Sequence, residues 1–289
     1  VGRLSRHDHI AASLLQWGSG SLRDLPWRRT TDAWHILISE VMLQQTSVAR
    51  VLPKYEAFIT AFPSPHDLAR APLGDALQLW LGLGYPRRCR NLRDAAIAIC
   101  EQHAGTLPNN LDQLLALPGI GQYTARAVLA FAFKQDVGVV DVNVSRVLSR
   151  LEGTPMAARA LQVLANDLVP QSLAWEWNQV MMDFGAQQCT VRQPACSACP
   201  LRQLCIWHGD GDDPAPASAG ASKPQARFAG SDRQARGRAL RTVATGMTQR
   251  INLVIAMQLE TDEARADTLL QQLVKEKLLV QDGESFTLP

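Results

Sequence analysis

The chain has 289 residues, 46% of them hydrophobic and 19% charged. That length and balance can bury sizeable cores without disulfide staples, which excludes wholesale disorder and points to two domains. No apolar run approaches the roughly 18–20 residues of a membrane span, and 29 Lys and Arg against 27 Asp and Glu leave a net charge of +2, too small to announce a nucleic-acid partner. The chain reads as cytosolic.

Apolar positions recur at helical spacing in Ala33–Gln45, Ala49–Phe62, Asp75–Leu81, Leu92–His103, Leu111–Leu117, Gln122–Phe133, Val144–Leu151 and Ala174–Phe184. Strand-like alternation is scarce there. Pro63 and Pro65, Gly82 and Gly84, Pro108, the Pro118-Gly119-Ile120-Gly121 turn and Pro170 punctuate the pattern, as in a compact, mainly α domain over residues 1–208. From Gly209 to Ala226 the sequence GDGDDPAPASAGASKPQA holds too little apolar content for a core and reads as a flexible linker.

Residues 227–289 form a small C-terminal α/β module. The order expected is a helix (Asp232–Ala244), a short strand (Asn252–Met257), a helix (Glu263–Lys277) and two strands (Leu279–Gln281, Ser285–Leu288) around the hairpin signal Asp282-Gly283. It fits a winged-helix-like module or a helical appendage of the main domain. Its first part carries Arg227, Arg233, Arg236, Arg238, Arg241 and Arg250 against the single acid Asp232, a run suited to gripping phosphates.

Three features carry chemistry. In Leu114–Ala125, a helix, a Pro-Gly-x-Gly turn and the start of a second helix leave backbone N–H groups uncovered at a helix N-terminus, where Gly119 and Gly121 allow an anion such as a DNA phosphate to approach. The same turn also suits a plain helical connection. Cys189, Cys196, Cys199 and Cys205 fall within 17 residues, and four thiolates so spaced suit a zinc ion or an iron–sulfur cluster. Glu40, followed by apolar Val41, Met42 and Leu43, suits either a solvated helix face or an acid of raised pKa. Asp141, before Val144, suits a helix N-cap.

Ser39-Glu40-Val41-Met42-Leu43-Gln44-Gln45-Thr46, the Leu117–Gly121 hairpin, Val140-Asp141-Val142-Asn143-Val144-Ser145-Arg146 and the Cys-x6-Cys-x2-Cys-x5-Cys tail together resemble the adenine DNA glycosylases of the MutY type, in the helix-hairpin-helix superfamily with endonuclease III. The match runs from about Leu25 to Cys205. It implies a two-lobed helical fold, a [4Fe–4S] cluster on the four cysteines, and removal of adenine mispaired with guanine or 8-oxoguanine in double-stranded DNA by a monomeric enzyme. Glu40 matches the acid that protonates adenine, Asp141 the carboxylate beside the sugar cation, and Asn143 the residue that places it. Tyr123 stands where lyase relatives carry a Lys nucleophile, which implies a monofunctional glycosylase. Tyr85, with Leu83 beside it, matches the wedge that enters the duplex. Gln45 and Thr46 match residues facing the partner guanine, and Arg23, Trp27, Leu43 and Gln179 match the adenine pocket.

The chain departs from the family at Pro86, where a second Tyr is usual, and at Val142, where Gly is usual. Many members also carry a larger Nudix-like domain that reads the oxidised guanine, where this sequence has 63 residues after Ala226. The rival readings are a thymine-mismatch or endonuclease III-like glycosylase and a non-catalytic iron–sulfur DNA-binding protein. Glu40 and the absence of Lys at 123 weigh against the first, and the pair Glu40 and Asp141 against the second.

Overall fold

The computed structural model describes residues 5–221 and 227–289. In chain order the helices are α1 (Arg6–Gly18), α2 (Ala33–Leu43), α3 (Val48–Ala61), α4 (Pro65–Arg70), α5 (Leu73–Trp80), α6 (Arg87–His103), α7 (Leu111–Ala116), α8 (Gln122–Phe131), α9 (Val142–Glu152), α10 (Ala158–Asp167) and α11 (Ala174–Gln187). The C-terminal part adds α12 (Asp232–Val243), α13 (Arg250–Met257) and α14 (Glu263–Lys275), with β1 (Thr248–Gln249), β2 (Val280–Asp282) and β3 (Ser285–Thr287). Among the described residues no helix is long and apolar enough to cross a membrane.

The chain divides into two compact units. The first takes the chain up to Ile36, Asn109–Asp112 and the residues from Gly121 to 221; the second takes Leu37–Pro108, Gln113–Ile120 and residues 227–289. In the first, α9 and α11 carry the core, with α1, α8 and α11 packed together and α10 on α9. Its centre is apolar, with Ile10, Leu14, Leu148, Leu161, Trp177 and Phe184 all buried. In the second unit α6 lies on α4 and α5, and Phe58 meets Trp80 edge to face at 5.7 Å.

Helices α1 and α4 start at capping boxes, Ser5 with Asp8 and Ser64 with Asp67, that satisfy N-terminal N–H groups; six-residue α4 is too short for a clear apolar period. Helix α6 begins at Arg87, five residues before its periodic part, because a first turn of Arg87-Arg88-Cys89-Arg90-Asn91 masks the pattern.

The strand expected at Asn252–Met257 is instead α13. Its Leu253, Val254 and Met257 are buried while Ile251 and Ile255 are exposed, a helical stripe that overrides the β preference of Val and Ile. The first strand is the two-residue β1, and the sheet order β1-β3-β2 is antiparallel throughout. The module thus runs helix, strand, helix, helix and hairpin.

The stretch from Gly209 also departs from a flexible linker. Asp213 pairs with Arg150 at 2.7 Å, Ala219 N–H donates to the Met156 carbonyl at 2.9 Å, and Ser145 donates to the Ala219 carbonyl at 2.5 Å. These polar anchors act beside buried Ala215 and with Ala219 packed on the core. Its remainder, residues 222–226, lies outside the described residues.

Gly138 opens the segment leading to α9 and abuts α10, where an added Cβ would lie 2.6 Å from the Ala165 carbonyl oxygen. Gly138→Ala is expected to cost about 2–3 kcal/mol, because backbone rather than a flexible side chain must yield, as measured by denaturant unfolding.

Candidate active site and cysteine pocket

In the second unit Glu40 lies on α2 and is 5% exposed, between buried Ser39 and Val41. Leu43 closes the helix half-buried, followed by exposed Gln45 at φ +56° and half-buried Thr46. The last carbonyls of α2 lack helical partners, and Arg88 supplies them. Its Nη1 donates to the carbonyls of Val41 (2.7 Å), Met42 (3.0 Å) and Gln44 (2.5 Å), and its Nη2 to Thr46 Oγ1 (3.0 Å), Leu83 O (3.2 Å) and Gly84 O (3.1 Å). Thr46 in turn donates to the Leu83 carbonyl at 3.0 Å. One guanidinium thus ties the end of the Glu40 helix to the loop at Leu83–Tyr85. Burial lowers the Arg88 pKa to about 10, still far above neutrality, so it stays charged.

In that loop Leu83 is 3% exposed and belongs to the interior, while Tyr85 is half-buried at φ +49°. Gly119, at φ +74°, turns the chain after α7, and a Cβ there would stand 2.7 Å from that of Asn91. The turn therefore needs glycine on two counts.

In the first unit Gly121 is the N-cap of α8, with half-buried Tyr123 in the first turn. Asp141 caps α9. Its Oδ1 accepts from the backbone N–H groups of Asn143 (2.8 Å) and Val144 (2.7 Å), and its Oδ2 from Asn143 Nδ2 (2.9 Å). Burial of the carboxyl group raises its pKa, and these donors, with Arg146 nearby, act in the opposite direction without cancelling it. Arg146 Nη2 donates to Asn143 Oδ1 (2.8 Å) and to the Gly185 carbonyl (2.6 Å), and its Nε to the Cys189 carbonyl (2.8 Å). Hydrogen bonds therefore run from the Asp141 carboxylate through Asn143 and Arg146 to the first cysteine.

Gln179 lies on α11 at 5% exposure, and Trp27 is buried in a short turn of 3-10 helix. Arg23 is occupied by Asp183, to which it donates from its backbone N–H (3.0 Å) and Nε (2.8 Å), while Arg28 donates to the same carboxylate at 2.7 Å. Burial would raise the Asp183 pKa, but these arginines hold it below the ordinary range.

Cys189, Cys196, Cys199 and Cys205 line one pocket together with Leu151 and Trp207. Among the described residues no three His, Cys, Asp or Glu side chains are gathered tightly enough for one metal ion. Arg150 Nη1 donates to Cys189 Sγ and the His208 backbone N–H to Cys205 Sγ, both at 3.3 Å. As free thiols these groups resist ionisation, burial raising Cys189 and Cys205 and pushing Cys199 up to about 11. Arg150 also donates to Thr190 O (2.7 Å) and stacks over Trp207 at 4.6 Å. Cys89 is buried apart from this set.

Sequence reasoning missed Arg28, Arg88, Arg146, Arg150, Asp183 and Asp213. One signal was present: Arg146 and Arg150 stand four apart inside an apolar helix, where an unpaired charge is too costly to be ornamental.

The HhH-GPD superfamily of base excision DNA repair proteins matches residues 38–171, the class to which this helical architecture corresponds. The sequence is 40% identical to the adenine DNA glycosylase of Mycolicibacterium smegmatis, over 94% of this chain and 92% of that protein. It is 38% identical to that of Mycobacterium tuberculosis, over 97% and 94%. The human adenine DNA glycosylase is 41% identical over 67% of this chain and 38% of its own length. Among solved structures, a thermostable thymine-DNA glycosylase superposes with a TM-score of 0.67 at 30% identity, over 70% of this chain and 96% of that one. A trapped endonuclease III–DNA covalent intermediate shares the fold, with a TM-score of 0.63 at 24% identity over 71% and 98%. The chain belongs to the adenine DNA glycosylase family of the HhH-GPD superfamily.

Arg88→Met leaves the C-terminal carbonyls of α2 without donors, and is expected to destabilise the protein by about 3 kcal/mol in urea unfolding, since bonds to a charged donor contribute about 1.5–3 kcal/mol each before relaxation.

Proposed function

We propose that the protein is a base-excision-repair DNA glycosylase that hydrolyses the N-glycosidic bond of adenine mispaired with guanine or 8-oxoguanine in duplex DNA. The observation that carries this reading is the pair of sheltered carboxyl groups, Glu40 in an apolar helix and Asp141 at a helix N-terminus, in a chain whose full-length relatives are named adenine DNA glycosylases. Adenine leaves poorly unless protonated, and the sugar left behind is a cation. One carboxyl must therefore give a proton and the other stay negative.

Glu40 protonates adenine at N7 as the C1′–N9 bond breaks. Ionised Asp141 stabilises the oxocarbenium-like sugar, and Asn143 holds its carboxylate in place. Water supplies the oxygen that joins C1′ and returns a proton to Glu40, leaving free adenine and an abasic site. With Tyr123 where a lyase has Lys, no Schiff base forms and the strand stays intact. The adenine reaches this site by flipping out of the duplex, with Tyr85 wedged into the gap, Gln45 and Thr46 toward the partner base, and Arg23, Trp27, Leu43 and Gln179 around the extruded base. The hairpin glycines Gly119 and Gly121 hold a backbone phosphate. The protein acts as a monomer in the cytoplasm.

Cys189, Cys196, Cys199 and Cys205 would hold a [4Fe–4S] cluster: four thiols line one pocket, with N–H donors on two of the sulfurs. When bound, such a cluster would cross-link the 189–205 loop. Arg146 and Arg150 hold the same loop through its carbonyls.

The superposition on a thymine-DNA glycosylase favours a T:G duplex as the rival substrate. Incubation with A:8-oxoguanine, A:G and T:G duplexes, followed by alkali, is expected to cleave only the adenine strands. Glu40→Gln is expected to abolish this at least 1000-fold while duplex binding stays within a few-fold, because it removes the proton and little else. Adenine release by Glu40→Gln, or thymine release by the parent protein, would overturn the assignment.

A further inference from the structure

The reaction above uses the loop at Leu83–Tyr85 as a wedge and gives the C-terminal module no part. Several of the module's arginines are nevertheless held by groups of the protein itself. Arg236 pairs with Glu276 at 2.5 Å, Arg238 donates to Gln258 at 2.6 Å, and Arg250 is held by Asp267 and Glu263. An arginine already held by an acid or an amide is a poorer grip for phosphate, which weighs against the expected phosphate-binding run at these three residues.

Two sets of contacts run from the module to the wedge loop instead. Arg233 of α12 donates from Nη1 to the Tyr85 hydroxyl oxygen at 3.1 Å, while Arg88 lies over the Tyr85 ring at 5.5 Å. Immediately after the loop, Arg87 ion-pairs with one oxygen of Glu276, at the end of α14, and Arg236 binds the other. Arg90 donates to the Glu276 carbonyl at 2.7 Å. The Glu276 side chain is 12% exposed; burial would raise its pKa, but Arg87 and Arg236 outweigh it and hold the carboxyl ionised, at about 2. Tyr85 itself sits at φ +49°, a conformation a bulky residue keeps only when its surroundings enforce it.

We propose that the C-terminal module is a latch for the wedge: Arg233 fixes the Tyr85 hydroxyl and Glu276 clamps the start of α6 behind it, so the ring is presented to the duplex already ordered. The inference rests on the adenine glycosylase reading. A long aromatic side chain free to rotate loses its rotamer entropy at the moment of insertion, whereas a latched one has lost it beforehand. The module thereby makes Arg233 and Glu276 positioning residues for base extrusion.

The test is a double-mutant cycle of Arg233→Met and Tyr85→Phe in the full chain. Two readouts are taken on A:G duplexes: single-turnover adenine release, and the fluorescence rise of 2-aminopurine beside the mispaired adenine, which reports unstacking. Each single variant is expected to lose about tenfold in rate and most of the fluorescence rise, and the double variant to be no worse than either, as one charge-assisted hydrogen bond predicts. Tyr85→Phe removes a single oxygen and keeps the cycle readable if Arg233→Met folds poorly. Losses that multiply, or Arg233→Met with parental unstacking, overturn the latch. So does an Arg233→Met defect equal on matched and mismatched duplexes with a reduced salt slope, which makes Arg233 a phosphate contact. If the parent protein releases no adenine, the glycosylase reading fails. If it does and Arg233→Met matches it, only the latch fails.

Discussion

Helix α9 carries charge into the interior of its unit, and the neighbouring structure is organised around satisfying it. Asp141 at its start is desolvated and kept in place by three N–H donors, while Arg146 and Arg150 follow at one-turn intervals with buried guanidinium stems. A buried charge without partners costs several kcal/mol, so each of these fixes whatever supplies its partner. Arg146 fixes Asn143, Gly185 and Cys189; Arg150 fixes the 189–191 backbone and the segment at Asp213. A Cβ on Gly185 would approach that of Asn143 to 2.7 Å, so glycine is what lets α11 come this close to the cap.

The second unit repeats the device with opposite geometry. Arg88 and Arg90 place their positive charge at the carbonyl ends of α2 and α14, where helix dipoles favour it and unpaired acceptors require it. Through Arg88 the helix bearing Glu40 and the loop bearing Tyr85 share one donor. In the proposed mechanism that couples the acid and the wedge within one rigid piece, whereas a loop tethered only by its own turn would drift by the fractions of an ångström that cost catalysis dearly.

Features that depend on neighbours along the chain were legible in the residues. The helical periods, the hairpin glycines, the N-cap at Asp141 and the cysteine spacing all belong to this kind. Features that depend on partners far away were not. Asp183 looks like one acid among many until Arg23 and Arg28, some 160 and 155 positions earlier, converge on it. Helix α13 is rich in Val and Ile and reads as a strand because its burial pattern is set by α12 and α14. The segment after Gly209 has only small apolar residues and reads as unanchored because its anchors include a carboxylate and backbone groups. Likewise Arg236, Arg238 and Arg250 read as free cations until their acids and amide appear.

In the proposed mechanism Asp141 stays ionised although burial opposes it. Because burial raises its folded pKa above the unfolded value, Asp141 contributes most to stability below the unfolded pKa, and that contribution is lost as pH rises through the folded pKa. In that mechanism the charge beside the sugar is kept at the expense of stability. Carboxyl 13C NMR of the full chain, with the Asp141 resonance identified by its absence in Asp141→Asn, measures this directly. The expected result is a carboxylate at neutral pH whose titration midpoint lies above the ordinary aspartate value of about 3.9 and moves higher in Asn143→Ala, which removes one donor to the charged form. A carboxyl still protonated at neutral pH, or a midpoint indifferent to Asn143, would contradict it.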